Sequence, residues 1–212
     1  MHTSNVVHAG APIGAARAAV ILVHGRGADA ESMLGLAGAL AAKDVAYVAP
    51  QAPSGSWYPY SFMEPISRNE PYLGNALRTL ARLIEDLQAQ GIPAERIALL
   101  GFSQGACLAL EFAARNARRY GGVVGLSGGL IGPAGTPRNY QGSLEGTPVF
   151  VGCSDVDFHI PLARVHESSD VFRKLGGDVT EKIYPGMGHI IIQNEIDHVE
   201  AILRGIGAPV NG

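Results

Sequence analysis

Only two cysteines, Cys107 and Cys153, occur in 212 residues. Two isolated thiols in apolar surroundings make no disulfide framework, and both are expected to be small buried side chains. Charge is sparse too: 17% of residues are charged, the net charge is −3, and the two signs are scattered. That argues against the basic tracts of a nucleic-acid binder or of a protein held to anionic lipid. The one basic cluster, Arg115, Arg118 and Arg119, closes a predicted helix, where the helix dipole favours cations. There is no run of about 18 apolar residues, so no membrane span is expected. The first residues, Met1 to Asn5, are polar and unlike a secretory signal, so a soluble cytoplasmic protein is expected. No metal-ligand spacing occurs, and Gly25-x-Gly27 lacks the third glycine of a dinucleotide site.

Apolar residues, by contrast, make up 47% of the chain, enough for a large core. The runs 18–23, 45–49, 97–100, 123–126 and 147–152 read as strands, and the uninterrupted apolar run 18–23 as one covered on both faces. Segment 5–9 reads as an edge strand, and 179–184 alternates as a last strand. Helical patterns over 32–42, 73–90, 106–115, 161–175 and 193–204 fall between them. Strands alternating with helices predict an α/β fold: a mostly parallel, doubly wound sheet with helices on both faces. With no repeat and no linker, residues 1–212 read as one domain. Two stretches fit no period. Residues 51–71 are rich in Pro, Ser and aromatics, and 128–146 read as a loop where a helix has been lost.

In such sheets ligands bind outside the carboxyl ends of the strands. At one of these ends lies Gly101-Phe102-Ser103-Gln104-Gly105, between the strand at 97–100 and the helix at 106–115. Strand, Gly-x-Ser-x-Gly, helix is the context of a nucleophile elbow, which makes Ser103 the candidate nucleophile. Gly125-Leu126-Ser127-Gly128-Gly129 fits the same pattern, but the Gly- and Pro-rich 130–137 cannot open a helix behind it. Ser127 therefore reads as a loop residue at a strand end. A serine hydroxyl needs a base, and the base needs an orienting carboxylate. His166 and His198 lie inside predicted helices, whereas His189 sits in the Gly-flanked loop after the last strand and is the candidate base. Asp155 and Asp157 both follow the strand at 147–152, and either could reach it. The candidate oxyanion donors are the backbone N–H groups of Gln104 and of Arg26, the latter in the loop after the first apolar strand.

Together, Gly101-Phe102-Ser103-Gln104-Gly105-Ala106, His24-Gly25-x-Gly27 and Gly186-Met187-Gly188-His189 resemble the phospholipase/carboxylesterase group of α/β-hydrolases, which includes the acyl-protein thioesterases. The resemblance covers nearly the whole chain and implies an α/β-hydrolase fold without a large cap. In that family the catalytic aspartate precedes Pro-x-Val-Pro. Asp157-Phe158-His159-Ile160-Pro161 keeps the spacing to the last proline and has phenylalanine in place of the first. Counting back from Pro161 selects Asp157; counting forward from Gly152 selects Asp155. The spacing to Pro161 is preferred, giving the expected triad Ser103, Asp157 and His189.

The resemblance implies hydrolysis of carboxylic or thiol esters with no cofactor, often by homodimers. The expectation is a serine carboxylesterase acting on a small-molecule ester of short to medium acyl chain. A thioesterase or lysophospholipase acting on acyl-protein or acyl-lipid is the nearest alternative, and a non-catalytic binding protein on the same fold is the more distant one. Trp57, Phe62 and Met63 in the 51–71 stretch are candidate acyl-pocket residues, the alternative being that they bury themselves as a loop core.

Overall fold

Seven strands form one sheet in the order β1-β3-β2-β4-β5-β6-β7. They are β1 (Val6–Gly10), β2 (Ala18–Val23), β3 (Val45–Pro50), β4 (Ile97–Phe102), β5 (Gly122–Leu126), β6 (Pro148–Ser154) and β7 (Asp178–Tyr184). The computed structural model describes residues 6–40 and 42–207, so the expectations for Met1 to Asn5 fall outside the described residues. β1 pairs antiparallel with β3, and every other pair is parallel. The sheet is the mostly parallel, doubly wound one expected from the apolar runs, and it is the α/β-hydrolase fold that the resemblance implies. All six residues of β2 are buried, as a strand covered on both faces requires.

Among the described residues the helices are α1 (Ala30–Ala39), α2 (Ile66–Asn69), α3 (Tyr72–Ala89), α4 (Gln104–Arg115), α5 (Leu162–Lys174) and α6 (Gln193–Gly205), and all but the short α2 pack on the sheet. The period-2 alternation of the strands splits the core in two. Ile21, Val23, Leu99 and Val151 face the cluster that holds Leu80 and Ile84 of α3, Leu108 of α4 and Val165 of α5. Val20, Leu22, Leu100 and Phe150 face the cluster that holds Met33 of α1 and Val199 and Leu203 of α6. α1 begins two residues before its predicted start because Asp29 caps it, its carboxylate accepting the Ser32 N–H at 2.8 Å.

Residues 127–147 contain no helix or strand, yet most of this segment is buried at its start. It is ordered by ion pairs instead. Buried Glu111 on α4 accepts the Ile131 N–H at 2.9 Å and the Tyr140 hydroxyl at 3.1 Å, and pairs with Arg115 at 2.7 Å. Arg164 donates to the carbonyls of Leu130 and Gly132, Arg138 donates to that of Ile131, and both guanidiniums share Glu167. The irregular backbone thus finds its partners in long side chains, which satisfies the rule that buried carbonyls are paired.

The tightest packing lies at the β4–α4 junction. A Cβ on Gly101 would stand 2.2 Å from the Gly105 carbonyl oxygen, and one on Gly105 would stand 2.0 Å from the Val23 oxygen. Both obstacles are backbone, which cannot swing aside. Gly101→Ala and Gly105→Ala should each cost about 3 kcal/mol or more, the upper end of overpacking penalties. Gly35→Ala, exposed on α1 with nothing within 4 Å of the new methyl, should instead stabilise by up to about 1 kcal/mol. Urea denaturation of the three variants checks this. Equal, small effects at all three positions would contradict it.

Candidate active site

Ser103 occupies the turn between β4 and α4 at φ 55 and ψ −120, a conformation that costs a non-glycine residue about 1–3 kcal/mol. The strain is held by the packing at Gly101 and Gly105 and by the Ser103 N–H, which donates to the Leu126 carbonyl at 2.9 Å. The result is a partly exposed hydroxyl at the N-terminus of a twelve-residue helix, where the dipole favours negative charge.

His189 stands on the loop between β7 and α6, with Nε2 2.8 Å from Ser103 Oγ. Its Nδ1 lies 2.7 Å from Asp157 Oδ2 on the loop after β6. With Nδ1–H donating to the carboxylate, Nε2 is free to accept the serine proton. Burial pushes the Asp157 carboxyl up. The hydrogen bond from His189, the His159 N–H, the imidazole's charge and the Ile160 N–H outweigh it and hold the carboxyl below the usual carboxylate range. Asp155 does not touch the ring; its Oδ1 accepts the Gly186 N–H at 2.8 Å and ties the two loops together. The His189 ring sits between Phe102 and His159, with ring centroids 5.0 and 4.8 Å away. His166 pairs with Glu181, and His198 stacks on Phe150 at 4.7 Å, both away from Ser103. Ser127 is fully buried.

The Gln104 N–H is the first of α4 and lies ahead of the helix's own hydrogen-bond ladder. The Arg26 N–H has no backbone acceptor among the described residues. The side chains of these two residues do something the sequence did not announce. Gln104 accepts the Trp57 N–H at 3.0 Å and donates to the Tyr58 carbonyl at 2.8 Å. The Arg26 guanidinium donates to the carbonyls of Pro59 at 2.8 Å and Tyr60 at 2.6 Å. Together they lace the 56–60 turn beside Ser103. Beneath it, buried His24 accepts the Ala52 N–H at Nε2 (3.0 Å) and donates from Nδ1 to the Gly25 carbonyl (2.8 Å). Those partners fix a neutral tautomer, and burial lowers the His24 pKa in agreement. The Trp57 indole donates to the His24 carbonyl at 2.8 Å. Trp57 and Phe62 are buried in the core, and Met63 packs half-buried against it. Among the described residues no three His, Cys, Asp or Glu side chains gather as a metal site would need, and no helix is long and apolar enough to cross a membrane.

Residues 5–206 match the family model described as phospholipase/carboxylesterase. The crystal structure of a phospholipase/carboxylesterase from Dyadobacter fermentans is 43% identical, with a TM-score of 0.92 over 95% of this chain and 97% of that one. An acyl-protein thioesterase 1 from Gibberella zeae is 33% identical over 70% of this chain; the aligned region spans 65% of that protein. One from Saccharomyces cerevisiae is 26% identical over 94% of this chain and 97% of that protein.

One buried carboxyl near the His189 loop gives a pH signature. Glu195 Oε2 accepts the Ile192 N–H at the start of α6 at 3.1 Å, while Oε1 is buried with no partner among the described residues. Burial pushes its pKa up to about 7, against the Ile192 N–H, which lowers it. From the ordinary carboxylate range up to about pH 7 the folded chain therefore binds more protons than the unfolded one, so this group's contribution falls as pH rises through that window. Glu195→Gln keeps a capping acceptor and removes the titration. Its stability relative to wild type, read from denaturation midpoints, should improve between about pH 5 and pH 7 and level off above that. A pH-independent difference would contradict the assignment.

Proposed function

The chain belongs to the phospholipase/carboxylesterase family of serine hydrolases, and we propose that it hydrolyses short- to medium-chain carboxylic esters through an acyl-enzyme on Ser103. The observation that carries this is the unbroken hydrogen-bonded line Ser103–His189–Asp157, at 2.8 and 2.7 Å. Ser103 Oγ attacks the acyl carbonyl while His189 Nε2 takes its proton. The oxyanion receives the N–H groups of Gln104 and Arg26. His189 then protonates the leaving alcohol, and Asp157 stabilises the imidazolium. Water, deprotonated by the same nitrogen, attacks the acyl-enzyme and returns Ser103. The proton shuttles on and off one imidazole, so no cofactor enters the cycle.

A second reading has an observation of its own. The Gibberella and Saccharomyces relatives are named acyl-protein thioesterases. A thiolate is a better leaving group than an alkoxide, and the same residues would serve a thioester. For the acyl side, Trp57, Phe62 and Met63 are the proposed walls. Trp57 is pinned by its indole and Phe62 by core packing, so these two would form fixed surfaces. Met63, the half-buried one of the three, would meet the chain end.

Ser103→Ala should lower kcat by roughly 10⁴ or more, and Asp157→Asn by about 10⁴ through the wrong tautomer. Asp155→Asn should cost far less, and Ser127→Ala should stay within about tenfold of wild type. Activity should fall on acidification, because a protonated His189 cannot accept. Steady-state kinetics on a soluble ester decide; Asp155→Asn as the crippling variant, or an active Ser103→Ala, would overturn the roles. In a homologous ester series each methylene that fits should add at most about 0.8 kcal/mol of binding until the pocket ends. Met63→Ala should move that end toward longer chains, and an unmoved profile of kcat/KM would remove Met63 from the pocket.

A further inference from the structure

Cys153 on β6 has no part in the cycle above, yet it is fully buried against the triad carboxylate. Its Sγ lies 3.8 Å from Asp157 Oδ2, the same oxygen that accepts from His189 Nδ1. The other carboxylate oxygen, Oδ1, is taken by the N–H groups of His159 at 2.8 Å and Ile160 at 3.1 Å. The Asp157 side chain has no exposed surface. A buried carboxylate oxygen needs each of its donors, because a low-dielectric site raises the cost of a missing one.

The thiol can be such a donor. Burial and then the Asp157 charge push its pKa up to about 12, so sulfur keeps its hydrogen through neutral pH. On β7, the residue paired with Cys153 is the apolar Ile183. The groups facing Asp157 are thus His189, Cys153 and the two N–H groups, and those facing His189 are Asp157, Ser103, Phe102 and His159.

Resting on the triad as read above, we propose that Cys153 is a positioning residue for Asp157: its S–H donates to Oδ2. An S–H donor is weak, so the effect is modest. Withdrawing it leaves more negative charge on Oδ2, which tightens the proton on His189 and shifts the acid limb of activity upward. It also loosens the carboxylate, which slows chemistry without touching substrate.

The test is kcat and KM against pH on a soluble ester for wild type, Cys153→Ala, Cys153→Ser and Cys153→Val, with Tm alongside. Cys153→Ala should lower kcat about three- to tenfold, leave KM within about twofold, and raise the acid limb by a few tenths of a pH unit, on the order of a lost weak donor. Cys153→Ser keeps a donor and should recover most of both. A wild-type kcat and acid limb in Cys153→Ala, whatever its Tm, would overturn the proposal, as would a serine variant no better than alanine. Should alanine at 153 prevent folding, Cys153→Val, which fills the site without a donor, decides in its place, an unmoved kcat and acid limb counting against the proposal. A wild type whose activity survives Ser103→Ala would instead sink the triad itself, which separates the two failures.

Discussion

Three stretches of backbone meet at van der Waals distance where β2 ends, β4 ends and α4 begins, and the site depends on that contact. With hydrogen atoms at 101 and 105, the helix can start against the strands and force Ser103 to φ 55. The strain at one residue is set against the burial of two whole strands and the inner face of a helix, which is why it persists. The same approach sets the Gln104 N–H, the first of α4, next to Ser103 in the chain.

The other loops are braced against that point through side chains. Gln104 and Arg26, whose backbone N–H groups are the proposed oxyanion donors, each give a side chain to the 56–60 turn. Buried His24 and the Trp57 indole hold the first loop to the end of β3. On the far side, Asp155 ties the loop after β6, which carries Asp157, to Gly186 in the loop that carries His189. Preorganisation of this kind is what lets fixed dipoles act without rearranging during reaction. Phe158 is 95% exposed beside this apparatus, and its position in place of the family's proline leaves the Asp157 geometry intact.

Much of this was legible in the residues because it is local. Continuous apolar runs gave the buried strands, and the helix behind Gly105 set Ser103 apart from Ser127. Choosing between Asp155 and Asp157 required the spacing to Pro161, since both follow the same strand. What the sequence did not disclose depends on partners far along the chain. The bond from Gln104 to Tyr58 spans 46 residues, and that from Arg164 to Leu130 spans 34. No periodicity signals such pairs. Arg164 and Glu111 look like ordinary helix-surface charges, yet both are buried to order 127–147. The four-residue helix α2 was missed because it is too short to show a period.

The central claim is that one serine hydroxyl, Ser103 Oγ, is the nucleophile of this fold. Intact-mass analysis after reaction with a fluorophosphonate, followed by peptide mapping, tests it directly. A single adduct is expected on the peptide containing Ser103, absent from Ser103→Ala and slowed in His189→Ala. An adduct on Ser127, or undiminished labelling of Ser103→Ala, would contradict it.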